Sequence, residues 1–281
     1  MLSRLLPLIP QGGLPYTEAY AGAVNVLLNR PPAPVEAIND LDGRLVNLFR
    51  ILQDRETYQE LLHRLRHTPY ARAEFVRARA ILADWARGVG VDPVTLGWAL
   101  VVANRLSFGG NGHSWGTALK TSCRGMAQTT SAWRGFLEAL EAVHERLFRV
   151  QIDQRDALDF LRYWDTPEAV HYVDPPYHPE TVKGLYYLHN ADEAHHKRLV
   201  ETLLELRGAV VLSGYAHPVH APLEAAGWRR VDFATVSHMA GRTRESGMQG
   251  QGAARRRVPR VESVWLNLKA QTLLSPEEVW L

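Results

Sequence analysis

The sequence predicts an α/β protein built on a mostly parallel sheet and interrupted by a helical insert. Three observations point there. Short apolar runs alternate with helical periodicity at the start of the chain, the alternation stops from about residue 56 to residue 147, and it then resumes. A length of 281 residues suits one large domain carrying a smaller one. A content of 46% hydrophobic and 22% charged residues excludes a wholly disordered or collagen-like chain.

Residues 16–20 read as a strand that breaks at Gly22, and 24–28 as helix. Pro31, Pro32 and Pro34 precede a second strand at 35–38, which runs into Asn39 and Asp40. Leu45, Leu48, Phe49 and Leu52 recur at helical spacing. Helical patterns then continue without strands, carried by Leu61, Leu62 and Leu65, by Phe75, Val76 and Ile81, and by Leu96, Leu100 and Val101. Residues 107–131, rich in Gly, Ser and Thr, read as a long loop, followed by an amphipathic helix over 133–147. Strands are expected at 150–152, 170–173, 209–212, 228–236 and 261–268. One helix is expected near 157–163, and another from a capping box at Asn190 and Glu193 to about Leu206. The expected division is a main domain over 1–54 and 148–281 and a helical insert over 55–147.

The net charge of +2 hides an unequal choice of cations. Lys stands only at Lys120, Lys183, Lys197 and Lys269, so most of the 32 basic residues are Arg. Arginine forks match phosphates and base edges, although a nucleotide bias of the source genome gives the same count. The single Cys123 excludes an internal disulfide and a multi-cysteine zinc site. No run approaches the ~18–20 apolar residues of a membrane span, and the first ten residues lack a cleavage site. The expectation is a soluble cytoplasmic protein.

Asp174, Pro175, Pro176 and Tyr177 follow directly on the strand ending at Val173. Chance places such a tetrapeptide in on the order of one chain in a thousand. Ligands of open α/β sheets bind beyond the carboxyl ends of strands, where this one sits. The residue types suit methyl transfer to the exocyclic amino group of a base. That nitrogen is a poor nucleophile because its lone pair is delocalised into the ring. Asp174 can accept one amino hydrogen and the Pro175 carbonyl the other, with the two prolines fixing the turn and Tyr177 offering a stacking face. The plain alternative is a rigid strand-end turn with an Asp cap and a core Tyr.

Beyond this tetrapeptide the chain resembles the Dam-type adenine-specific DNA methyltransferases, the DPPY amino-methyltransferases. The stretches that carry the resemblance are EAYAG at 18–22, INDLDG at 38–43, LSFGG at 106–110, QIDQRDAL at 151–158, YVDPPY at 172–177, VLSGY at 211–215 and ESVWLN at 262–267. The resemblance implies a Rossmann-like methyltransferase sheet with a helical DNA-recognition insert, S-adenosylmethionine as methyl donor, no metal, and a flipped adenine in double-stranded DNA as acceptor. Glu18, Tyr20, Ala21 and Gly22 would then pass the methionine part of the donor, Asp40 its ribose, Asp156 its adenine, and Asp174 would border it. Asp40 lies eighteen residues beyond Gly22, close to the ~20 of an acid ending a second strand. Asp40 and Asp156 also suit helix caps or loops.

Two departures are visible. Ala23, Val24 and Asn25 stand where the family commonly has a second glycine, and Gln11, Gly12, Gly13 has no following Lys to complete a Gly-Gly-Lys element. A partner chain supplying that element is one implied arrangement. The rival functions are amino-methylation of cytosine, and a DNA-binding subunit of a complex with weakened donor binding.

Base extrusion costs a few kcal/mol that DNA contacts must offset. Candidates in the insert are Arg64, Arg66, Arg72, Arg77 and Arg79, and in the following loop Asn111, His113, Ser114, Lys120 and Arg124. A Gly and Arg stretch over 241–260 adds Arg242, Arg244, Arg255 and Arg256. Helix arginines also suit a solvated face. Tyr186 and Tyr187 follow the tetrapeptide, and His195 and His196 fall on an expected helix, where they read as surface or core residues. Bacterial or phage cytoplasm, on DNA, is the implied location.

Overall fold

A computed structural model of the chain describes residues 2–119, 121–181, 191–236 and 259–274. They form two compact units, Met1–Asn39 with Arg155–Leu281, and Asp40–Gln154.

The first unit holds strands β1 (Tyr16–Glu18), β2 (Glu36–Asn39), β3 (Val170–Val173), β4 (Ala209–Tyr215), β5 (Arg229–Val236) and β6 (Pro259–Leu266). Their spatial order is β2-β1-β3-β4-β6-β5. The first four are parallel, and β6 runs antiparallel to both β4 and β5. The sheet is thus mainly parallel within an α/β fold, as the alternating pattern predicted. Ala209, Val210, Val211 and Leu212 are buried without alternation, as a strand covered on both faces requires.

The helices Ala157–Trp164 and Glu193–Glu205 turn Leu158, Phe160, Leu161, Leu199, Val200 and Leu203 onto one core with Val173, Val210, Leu212 and Trp265. Each such burial contributes about 1.5–3 kcal/mol. The second of these helices is capped by Asp192, whose side chain accepts from His195 N at 2.7 Å. The capping box expected at Asn190 therefore gives way to a cap two residues later, and Asn190 itself lies outside the described residues. The last strand also stops earlier than the pattern suggested. Asn267 accepts from Ala270 N and opens the helix Leu268–Leu273, so Leu268, expected as the end of the strand, starts a helix.

The second unit contains helices Gly43–Gln53, Arg55–Arg66, Arg72–Ala86, Pro93–Arg105 and Gln128–Leu147, and the short strand Gln151–Asp153. Asp42, Asp54 and Asp92 cap three of them. Pro93–Arg105 is buried along most of its length. A Cβ on Gly97 would come within 2.8 Å of Ile51 Cδ1, so glycine permits close helix packing there.

The stretch expected as one loop over 107–131 is more structured. It contains a turn at Phe108–Gly110 and a hairpin of Ser122–Cys123 with Met126–Ala127. Arg124 and Gly125 make its two-residue turn with φ of 53° and 72°, the positive pair such tight turns need. The following helix begins at Gln128, ahead of the expected Trp133, because its first turn is polar and carries no apolar period. Among the described residues no helix is long and apolar enough to cross a membrane.

Candidate active site

Strands β1 and β3 are parallel neighbours, with Glu18 opposite Tyr172. From β1 the chain order proceeds outward to β2 on one side and to β3 and β4 on the other. The crevice beyond their carboxyl ends is therefore the switch point of the sheet. Glu18 ends one strand and Asp174 follows the other.

Asp174 is solvent-exposed where the strand ends. The protein atoms crowded around it displace enough water to push its carboxyl up to about 6, opposed by a hydrogen bond from Ser213 and reinforced by the negative Glu262. Ser213 Oγ donates to Asp174 Oδ1 at 2.7 Å, and the Tyr172 hydroxyl lies 3.0 Å from Ser213 Oγ. Pro175 is buried and Pro176 half-buried. The Tyr177 ring rests on Tyr215 with centroids 4.4 Å apart.

Glu18 is buried, and burial pushes it up to about 7. Its Oε1 accepts from the Tyr16 hydroxyl at 2.9 Å and from Leu27 N at 2.6 Å, so it braces the start of the helix Asn25–Asn29. Arg30 covers the Tyr16 ring at 3.7 Å. Gly22 has φ of 51°, with nothing within 4 Å of where a side chain would begin. Val24 is also left-handed at φ 47°, an uncommon and strained state for a β-branched residue. This is the region where the family's second glycine is missing, and the backbone there still takes a shape that suits glycine.

Asn39 ends β2 and leads directly into Asp40. The Asp40 carboxylate accepts from Asp42 N at 2.9 Å. Asp156 caps the helix Ala157–Trp164 by accepting from Leu158 N at 2.8 Å, so the cap expected as a plain alternative is real. Tyr20 bonds His195 Nε2 through its hydroxyl at 2.7 Å. Ala21 is buried, its N donating to Asn39 O.

Several DNA-contact candidates are engaged within the second unit. Arg77 pairs with Glu74 at 3.6 Å and lies over the Trp98 ring, Arg79 bonds His113 O at 3.0 Å, and Arg64 bonds Thr95 Oγ1 at 2.8 Å. Asn111 accepts from His113 N and Ser114 N, which closes its own turn. Arg72, Arg66 and the His113 side chain are exposed, and Arg124 pairs with Glu138 at 3.3 Å. Lys120, Tyr186, Tyr187, Arg242, Arg244, Arg255 and Arg256 lie outside the described residues.

Sequence reasoning missed a histidine cluster directly beyond Tyr177. His178 and His217 stack with centroids 3.7 Å apart and 20° between planes, and His196 packs 5.1 Å from His178. Burial lowers His196 to about 4 and His220 to about 3. The ligand atoms of His178, Glu180 and His217 lie within 4.8 Å of one another, close enough for a divalent ion. The near-parallel stack means that one ring would have to turn before both could hold the same ion in their planes. His178 and His217 are far apart in sequence, so no local motif announces them.

A mainly parallel sheet with an acid, two prolines and a tyrosine at its switch point defines the class as an α/β methyltransferase acting on an amino group. A family model of the D12 class N6 adenine-specific DNA methyltransferases matches residues 1–221. The chain belongs to that family and is an adenine-specific DNA methyltransferase. No curated protein matches the chain.

Proposed function

We propose that the protein moves the methyl group of S-adenosylmethionine to N6 of an adenine extruded from double-stranded DNA, with Asp174, Pro175, Pro176 and Tyr177 at the reaction centre. The single observation that carries this reading is Asp174 at the sheet's switch point, beside the open loop at Gly22. The residues fit such a donor. Gly22 leaves room for close approach, while Glu18, Tyr20, Ala21, Asp40 and Asp156 border the neighbouring strand ends.

The donor supplies an electrophilic methyl on a sulfonium. Asp174 accepts one amino hydrogen and the Pro175 carbonyl the other, which draws density onto nitrogen and holds it in line. Tyr177, packed at a 36° tilt against Tyr215, offers the extruded base a stacking face. As the new N–C bond forms and the S–C bond breaks, the nitrogen sheds one proton. Asp174, at about 6, can take it and pass it to water.

The helical insert over 55–147 and the 241–260 stretch are the proposed DNA-holding parts, with exposed Arg72 and His113 the first residues to test. Long-read modification mapping of DNA from cells expressing the chain tests the proposal. N6-methyladenine at one recurrent motif supports it, and unmodified DNA from an expressed, folded protein contradicts it.

A further inference from the structure

The register of the sheet sets three side chains in a row. Val173 pairs with Leu212 in parallel, so the next residues, Asp174 and Ser213, come side by side where the strands reach the crevice. Residues 209–212 of β4 are apolar, and the run is broken at position 213 by a hydroxyl that is itself buried. Ser213 has one proton, and it points to Asp174 Oδ1 at 2.7 Å. An ionised carboxylate cannot donate, so the Tyr172 hydroxyl, 3.0 Å from Ser213 Oγ, must be the donor in that second bond. Each bond in such a chain polarises the next.

We propose that Ser213, backed by Tyr172, is the positioning residue for the catalytic carboxylate. It commits Asp174 Oδ1 and leaves Oδ2 as the oxygen that receives the amine. The proposal rests on the assignment of Asp174 as amine acceptor.

The surroundings make this support necessary. Glu18 on β1 and Glu262 on β6 place two further carboxylates around Asp174, and the Tyr177 and Tyr215 rings pack on each other further along the same two stretches of chain. Partial desolvation and the negative Glu262 favour the protonated Asp174, which accepts poorly. The Ser213 and Tyr172 hydroxyls are the donors that oppose them.

The test is kcat and KM over pH ~5.5 to 9 for the full chain and for Ser213→Ala, Ser213→Thr and Tyr172→Phe. Ser213→Ala is expected to move the acid limb of kcat up by about one pH unit, a loss of about fivefold near pH 6 that shrinks at alkaline pH. KM for donor and for DNA stays put. Ser213→Thr restores the limb, and Tyr172→Phe moves it the same way by less. A Ser213→Ala enzyme whose acid limb is unmoved, or whose kcat falls by one factor at every pH, overturns the proposal. Should Ser213→Ala not fold, the limb of Tyr172→Phe decides alone, since that change removes one oxygen and keeps the ring. Near-normal turnover by Asp174→Ala would instead sink the assignment of Asp174, a separate result.

Discussion

The Asn39 side chain holds Arg155 from both sides. Its Oδ1 accepts from Arg155 N at 2.9 Å, and its Nδ2 donates to Arg155 O at 3.1 Å and to Ala19 O at 3.0 Å. The Asn39 carbonyl accepts from Ala21 N at 2.8 Å. One buried residue thereby fixes the loop after β1 and the residue preceding Asp156, and it leads directly into Asp40.

Asn39→Ala leaves a buried N–H and carbonyls unpaired, each at about 1–3 kcal/mol. We expect a loss of about 3 kcal/mol in urea unfolding and donor binding weakened by about tenfold or more in calorimetry. Wild-type donor affinity in that variant would show that the loop is held by other means.

Glu18 gives the protein a pH dependence of known sign. Its folded pKa of about 7 is raised above its ordinary value of 4.5, chiefly by burial. Its contribution to stability is therefore complete below about 4.5 and is lost as pH rises through 7. Glu18→Gln keeps an acceptor for Tyr16 and Leu27 and cannot ionise. Its melting temperature relative to wild type should rise between pH 5.5 and 8.5, by roughly the 2–4 °C per kcal/mol of a chain this size. A pH-independent difference would contradict the buried, ionising Glu18.

The histidine cluster acts at the other end of the scale. His196 and His220 are lowered to about 4 and about 3, mainly by burial. Their contribution is present above their ordinary value of 6.5 and is lost as pH falls through those lower values. His220 also packs on Trp265 with centroids 4.4 Å apart, so replacing it by Phe keeps an aromatic contact and removes the titration. His220→Phe should flatten the fall of unfolding midpoint toward pH ~4, and an unchanged slope would count against it.

Tyr177 is expected to work through its ring. Tyr177→Ala should lower kcat/KM by about 5- to 150-fold, the worth of about 1–3 kcal/mol of stacking, while Tyr177→Phe stays near wild type. Steady-state kinetics on DNA distinguish this from a hydroxyl role, in which both variants fall together.

Legibility from sequence followed locality. β3 and the turn at Asp174 are contiguous, and the apolar run at 209–212 declares a buried strand by itself. Asp156 and Asp192 both cap helices within one turn, yet only the first is legible locally, since Asn190 and Glu193 offer an equally good pattern. What escaped depends on register and distance. Ser213 gains meaning only when β4 lies beside β3, Asn39 only when Arg155 returns to it, and His178 only when His217 stacks against it. Val24 looked like a lost glycine, while its left-handed backbone is visible only in the fold.

Amino-methylation of adenine through Asp174 can be tested directly with purified protein. Purified wild-type and Asp174→Ala proteins should be incubated with unmethylated DNA and labelled S-adenosylmethionine, and the DNA digested to nucleosides for mass spectrometry. Labelled N6-methyldeoxyadenosine is expected from the wild type and a loss of at least ~100-fold from the variant, with the same melting temperature. Label in N4-methyldeoxycytidine, or equal label in deoxyadenosine from both proteins, would contradict it.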